Sequence, residues 1–274
     1  MIVELKKNEF YKCKNLVNEN GQVEVKAVIK GVNPARIFVD DRVSPRSGLI
    51  WLGNNDGFLF IGDSENDRFN SKIRDFFVQE IIPEAKIEGL EWFEGIGNHP
   101  KWNPTIEKIF ENHPLDTWNQ KVYQLQQENY MGKNVPELKH GYSVMKIHEA
   151  LNQQNHFQNI EFLHSKLLLF WSSLEDFKQS GIGYCVVYQN NIVSVCFSGF
   201  VADNVHCIDI ETLKDHRGEK LAQYLAHCFV KECMEKGKIP YWDCMEGNKS
   251  SVAIAENLGF NNVFNYVGYE FPLK

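Results

Sequence analysis

HCIDIETLKDHRGEKLA, residues 206–222, contains a strand, a turn and the start of a helix in one run. Apolar and polar residues alternate through His206–Thr212, the pattern of a half-buried strand. Arg217 and Gly218 make a turn, after which Leu221, Leu225 and Phe229 recur at helical spacing. A strand that feeds a helix through a glycine turn presents free backbone N–H groups at the positive end of that helix, where an anion can sit. The stretch therefore points to a phosphate-bearing cofactor. Alternation also places Cys207, Asp209 and Glu211 on one face of the strand and Ile208, Ile210 and Thr212 on the other.

Downstream, IPYWDC (239–244) reads as a strand. NKSSVAIAENLG reads as a short helix opened by Asn248, a good N-cap, and closed by Gly259. VFNYVGYEF (263–271) closes the chain as a strand. Upstream, YSVMKIHEA begins as a strand, and the spacing of Phe162, Leu163, Leu167, Phe170 and Leu174 predicts one long helix over 160–181. GYCVVYQNNIVSVCFSGFVADN gives two strands around a turn at Asn190-Asn191. The polar run GKNVPELKHG (132–141) marks a boundary, which divides the chain into 1–135 and 136–274.

In the first part, residues 1–20 carry a weak helical pattern and VEVKAVIKG alternates as a strand. ARIFVDD (35–41), LIWLG (49–53) and FLFIGD (58–63) are further strands, with a tight turn at Asn54–Gly57. RFNSKIRDFFVQEIIPEA (68–85) is a helix ending near Pro83, GLEWFEGIG (89–97) a strand, and PTIEKIFEN (104–112) a short helix. TWNQKVYQLQQE (117–128) fits either a strand or an amphipathic helix. The order of elements is a truncated version of that in the second part, which suggests an internal repeat; the alternative is an unrelated α/β cap.

Length and composition suit one large globular domain or two small ones: 274 residues, 43% hydrophobic and 24% charged. A net charge of −7 and no dense Lys/Arg run argue against a nucleic-acid partner. The N-terminus has no long apolar core and no run approaches a membrane span, so a soluble, cytoplasmic protein without a membrane partner is expected. Seven cysteines without a CxxC pair read as buried thiols, and nine scattered histidines without ligand spacing argue against a metal.

The second part resembles a Gcn5-related N-acetyltransferase (GNAT) domain. That family's cofactor motif, Gln/Arg-x-x-Gly-x-Gly/Ala, falls on Arg217-Gly218-Glu219-Lys220-Leu221-Ala222, with Lys220 where the family usually has Gly. A second family signal, Asn-x-x-Ser before a Leu-Gly-Phe ending, falls on Asn248–Ser251 and Leu258–Phe260. FWSSLEDFKQSGIG, IDIETLKDHRGEKLA, AENLGF and YVGYEF resemble a subgroup related to zwittermicin A resistance acetyltransferases; with IFVDDRVSPRSGLIWL this likeness extends over the whole chain.

The resemblance implies an α/β fold with a mixed, mostly antiparallel sheet flanked by helices, and a degenerate GNAT-like α/β N-terminal half. It implies acetyl-CoA as cosubstrate, without a metal, and a primary amine of a small molecule as acceptor, attacked directly. A non-catalytic acyl-CoA sensor or scaffold is the alternative, prompted by Lys220 and Ala255. In the family the strand corresponding to HCIDIETL parts from its neighbour, so backbone groups at Thr212 and Leu213 are candidates to hold the thioester. Arg217, Gly218, Glu219, Lys220, Leu221, Ala222, Asn248 and Ser251 are the other cofactor-binding candidates. Glu211 is the candidate base, its proton affinity raised by Asp209 on the same face, and Asp209 holds the amine or a strand neighbour. The family's usual acid, a Tyr, is replaced by Ala255; Tyr266, Tyr269 or Ser251 are substitutes. The acidic residues Asp63, Glu65 and Asp67 argue against a second cofactor site in the first part.

Overall fold

The computed structural model describes residues 1–53, 57–132 and 135–273. The chain forms two compact units: Met1–Gln120 with Tyr266–Lys274, and Lys121–Asn265. This division does not follow a single cut at 135/136, because the end of the last strand packs with the first unit and residues from 121 onward pack with the second.

The first unit contains β1 (Val3–Leu5), a 3-10 helix (Lys7–Leu16), α1 (Val23–Ile29), β2 (Arg36–Val39), β3 (Ser47–Trp51) and β4 (Phe58–Gly62). α2 (Asp67–Phe76), a π-helical turn (Phe77–Ile81) and α3 (Ile82–Ile87) follow, then β5 (Trp92–Gly97), α4 (Asn103–Ile109) and the start of β6 (Asp116–Gln124). Neighbours β1 to β4 pair antiparallel and β4 pairs parallel with β5. The C-terminal half of β12 (Asn261–Pro272) adds antiparallel to β5, from Gly268↔Ile96 to Pro272↔Trp92.

Three expectations are corrected here. VEVKAVI is the helix α1 and not a strand: six of its seven residues are buried, including Glu24, so its alternation does not separate an inner from an outer face. Residues 1–20 begin with a strand paired to β2 before their helical turns. The 68–85 helix runs on to Ile87, because the π turn resets the backbone ladder and Pro83 falls in the first turn of α3, where its missing N–H is tolerated. The segment 117–128, open between two readings, is largely the strand β6. The expected turn at Asn54–Gly57 lies mostly outside the described residues. An aromatic core fills this unit, with Phe93 4.6 Å from both Phe110 and Phe271 between ring centroids.

The second unit contains β7 (Tyr142–Lys146), α5 (Ile147–Asn152), α6 (Ile160–Leu168), α7 (Leu174–Ser180), β8 (Gly183–Tyr188), β9 (Asn191–Ala202) and β10 (Val205–Thr212). α8 (Leu221–Glu235), β11 (Ile239–Met245) and α9 (Lys249–Leu258) complete it. Its strand order is β6-β11-β10-β9-β8-β7, antiparallel from β7 to β10 and parallel between β10 and β11. The single helix expected over 160–181 is two, since the Ser173 side chain caps a new start by accepting from the Asp176 N–H at 3.1 Å. The β8–β9 hairpin turns on Gln189 and Asn190, both at positive φ, one residue earlier than expected. Leu221, Leu225, Phe229 and Cys233 of α8 pack on Ile208 and Trp242. Every cysteine is free, and all but the half-buried Cys228 are buried.

His206 is buried at the start of β10, with Nδ1 2.9 Å from Ser198 Oγ. Burial, reinforced by Lys238 and Lys236, lowers its pKa from 6.5 to about 4. Between those values the unfolded chain binds the proton and the folded chain does not, so stability is full above pH 6.5 and falls as pH drops towards 4. The loss should reach about 3 kcal/mol. Urea unfolding at pH 7 and pH 4.5 should show a larger drop for the native protein than for His206→Gln, and equal drops would refute this assignment.

Candidate acyl-transfer cleft

The expected site residues converge at the C-terminal ends of β10 and β11. These parallel strands are registered over only three pairs, Val205↔Ile239 to Cys207↔Tyr241, and then part. On its other side β10 stays paired with β9 as far as Thr212↔Ser194. The Leu213 N–H donates to the Val193 carbonyl at 2.9 Å, so Leu213 points its backbone at β9 and cannot offer that amide to a ligand. This corrects its expected role. Because backbone direction alternates along a strand, the N–H groups of Ile210 and Thr212 point the opposite way, to the side from which β11 has departed.

The space so opened is a cleft of about 590 Å³, lined by Ile210, Glu211, Thr212, His216–Gly218, Lys220–Gln223, Asn248, Ser250, Ser251 and Ile254. Nine of the expected site residues are among these, the exceptions being Asp209, Leu213 and Glu219. Asp209 is half-buried one strand position deeper, Leu213 packs towards the α8 core, and Glu219 forms an ion pair with Lys139.

α8 opens into the cleft with no side-chain cap. Its first intrahelical bond runs from the Tyr224 N–H to the Lys220 carbonyl at 3.0 Å, so the N–H groups of Leu221, Ala222 and Gln223 have no partner within the helix. Arg217 crosses back to the strand, its Nε donating to the Thr212 carbonyl at 3.0 Å. Exposed Arg217 and Lys220 add positive charge to the helix end. These groups fit a diphosphate.

Lys220 itself stands in the left-handed region, φ 57° and ψ 20°. That conformation explains the usual glycine at this position, since it costs an L side chain about 1 kcal/mol. Lys220→Gly should therefore raise unfolding stability by about 1 kcal/mol while removing one cation from the cleft. A urea titration that shows no gain would contradict the strain.

At the opposite wall, Asn248 caps α9 by accepting from the Ser251 N–H at 3.1 Å, and the Trp242 indole donates to Ser251 Oγ at 2.9 Å. Ala255, at the position of the family's usual acid, is fully buried. Tyr269 belongs to the first unit, where its hydroxyl donates to Glu107 at 2.9 Å, and Tyr266 also falls there. Of the three substitutes, Ser251 is the one that lines the cleft. Cys244 is buried, and burial raises its thiol pKa, which does not suit a nucleophile.

Glu211 forms an ion pair with Lys166 of α6. Its expected environment, a second carboxylate raising its proton affinity, is therefore incomplete: a cation sits on it. Ser194 Oγ donates to the Glu211 carbonyl at 3.1 Å and lies 2.7 Å from Thr212 Oγ1, which fixes the end of the strand. Lys166, Ile210, Gln223, Ser250 and Ile254 were not singled out in the sequence. Ile210 was recoverable from alternation once the partner of Leu213 is known; Lys166, on a different element, carries no motif.

Parted parallel strands, an uncapped helix start between them and the two spaced motifs define a class. The GNAT acetyltransferase family matches residues 14–269, and the chain belongs to that family of N-acetyltransferase enzymes. It is 27% identical over 271 residues to the uncharacterized N-acetyltransferase YdfB of Bacillus subtilis, covering 98% of each chain. Its fold is similar to a GCN5-related N-acetyltransferase-like protein from Streptococcus suis, with TM-score 0.70 and 19% identity over 96% of this chain and 98% of the other. It is also similar to a tandem GNAT protein from the clavulanic acid biosynthesis pathway, with TM-score 0.60 and 10% identity over 100% of this chain and 98% of the other. Among the described residues no group of three or more His, Cys, Asp or Glu is placed to hold a metal ion, and no helix is long and apolar enough to cross a membrane.

Proposed function

We propose that the second unit transfers an acetyl group from acetyl-CoA to a primary amine of a small molecule by direct attack. The observation that carries this reading is the uncapped start of α8 opening into the same cleft as the unpaired side of β10. Acetyl-CoA would supply the activated acetyl thioester. The amides of Leu221, Ala222 and Gln223, with Arg217 and Lys220, would hold its diphosphate. The N–H groups of Ile210 and Thr212 would orient the thioester carbonyl and stabilise charge developing on its oxygen. Glu211 would accept the proton that an ammonium must lose before its nitrogen can attack. Ser251, fixed by Trp242, would protonate the leaving sulfur.

The first unit is read as a degenerate GNAT-like counterpart. It has its own parallel pair, β4 and β5, joined through α2, but the Asn66 side chain caps α2 by accepting from the Phe69 N–H at 3.4 Å. Arg46 is paired with Asp63 at 2.6 Å beside the end of β4. Such an end is neither free nor positive, which supports a single cofactor site per chain. The placement in the zwittermicin-resistance subgroup, a cytoplasmic location and the absence of nucleic-acid and membrane partners belong to the same proposal and rest on the sequence.

Thermal shift with acetyl-CoA and with CoA tests binding, and thiol release across a panel of primary amines tests transfer. Stabilisation by both ligands with acetyl-dependent thiol release is expected. Binding without release from any amine would favour a non-catalytic acyl-CoA sensor, the reading prompted by Ala255. No shift with either ligand would overturn both.

A further inference from the structure

The ion pair between Lys166 and Glu211 has a chemical consequence. If Glu211 receives the proton of an acceptor ammonium, an acceptor nitrogen must come within contact distance of its carboxylate. Lys166 Nζ, a primary ammonium on a flexible stem, already stands there. It is not a freely solvated lysine: its side chain is 26% exposed, against 68% for Lys139. Glu211 in turn lines the cleft beside Ile210 and Thr212, whose amides face the side proposed for the thioester. Lys166 therefore satisfies the requirements for an acceptor: it is a primary amine, and it is paired with a carboxylate that itself lines the cleft.

We propose that Lys166 is an internal acceptor, acetylated by its own chain when acetyl-CoA is bound and no external amine occupies the cleft. This rests on the acetyltransferase reading above. In the step, the Lys166 ammonium passes one proton to the Glu211 carboxylate, and the neutral Nζ attacks the acetyl carbonyl carbon. The new C–N bond forms as the C–S bond breaks. The second proton lost from nitrogen ends on the departing sulfur, and Glu211 returns its proton to solvent. The products are Nζ-acetyl-Lys166, CoA thiol and one proton. Acetylation removes the positive charge, so the pair with Glu211 is lost and the carboxylate becomes available to an external ammonium. Lys166 would thus act first as a placeholder for the substrate and then, once modified, vacate the base.

The full chain, incubated with acetyl-CoA and no added amine, should gain one acetyl group in its intact mass. Peptide mapping should locate this gain on Lys166 ahead of exposed Lys139. The fraction modified per unit time should not depend on protein concentration, as a reaction within one chain requires. Lys166→Arg, which keeps the charge opposite Glu211, should abolish modification at this position. Glu211→Gln should slow it by about a hundredfold. Modification spread over exposed lysines at equal rates, or a rate that rises with protein concentration, would overturn the proposal. So would an unmodified Lys166 in a chain that thermal shift shows to bind acetyl-CoA. Failure of acetyl-CoA to bind would instead overturn the acetyltransferase reading, and this proposal with it.

Discussion

Arg217→Glu is expected to weaken acetyl-CoA binding about 30-fold, roughly 2 kcal/mol, the scale of one hydrogen bond to a charged group. The substitution acts in two ways. It replaces a cation with an anion at the end of α8 where the diphosphate is proposed to sit, and it removes the Nε donor to the Thr212 carbonyl that ties the turn to the strand. Because Arg217 is exposed, the fold itself should lose little. Calorimetric titration of the native protein, Arg217→Lys and Arg217→Glu separates the contributions. Arg217→Lys keeps the charge and should fall between the other two. An unaltered affinity in Arg217→Glu would mean that the phosphate groups bind elsewhere.

The second large effect is expected at Glu211. Glu211→Gln preserves size and can still accept a hydrogen bond from Lys166, but it cannot take a proton. Turnover with an amine acceptor should fall by about a hundredfold, the lower range for loss of a general base, while acetyl-CoA affinity changes less than twofold. Rate recovery at high pH, where the amine is deprotonated by solvent, is the signature that distinguishes a missing base from a disturbed strand. A variant with unchanged turnover would remove Glu211 from the chemistry. One that loses cofactor binding would show that the residue only supports β10.

Most of the cleft lining at the starts of α8 and α9 is legible in the sequence because it is local: Arg217–Ala222 lie on one strand-turn-helix passage, and Asn248–Ser251 on another. Local motifs report local geometry. The features that the sequence does not reveal depend on partners distant along the chain. The strand position of Leu213 suggests a ligand donor, but its N–H is satisfied by Val193 on the neighbouring strand, which shifts the available amides to Ile210 and Thr212. Asp209 and Glu211 share one face of a single strand, whereas α6, from elsewhere in the chain, brings Lys166 onto Glu211. In the same way the alternation of VEVKAVI reads as a strand, while six of its seven residues are buried in a helix. Lys220 shows the reverse: the departure from the family's glycine was visible in sequence, and the left-handed backbone explains why glycine is usual there.

A single site, at the parted ends of β10 and β11, is proposed to hold the cofactor. Hydrogen–deuterium exchange on the full chain with and without acetyl-CoA tests it most directly, because the proposed contacts are backbone amides. Peptides covering 208–213 and 217–224 should be protected, with no change over 60–70 at the start of α2. Protection confined to 60–70, or binding without protection at 217–224, would contradict it.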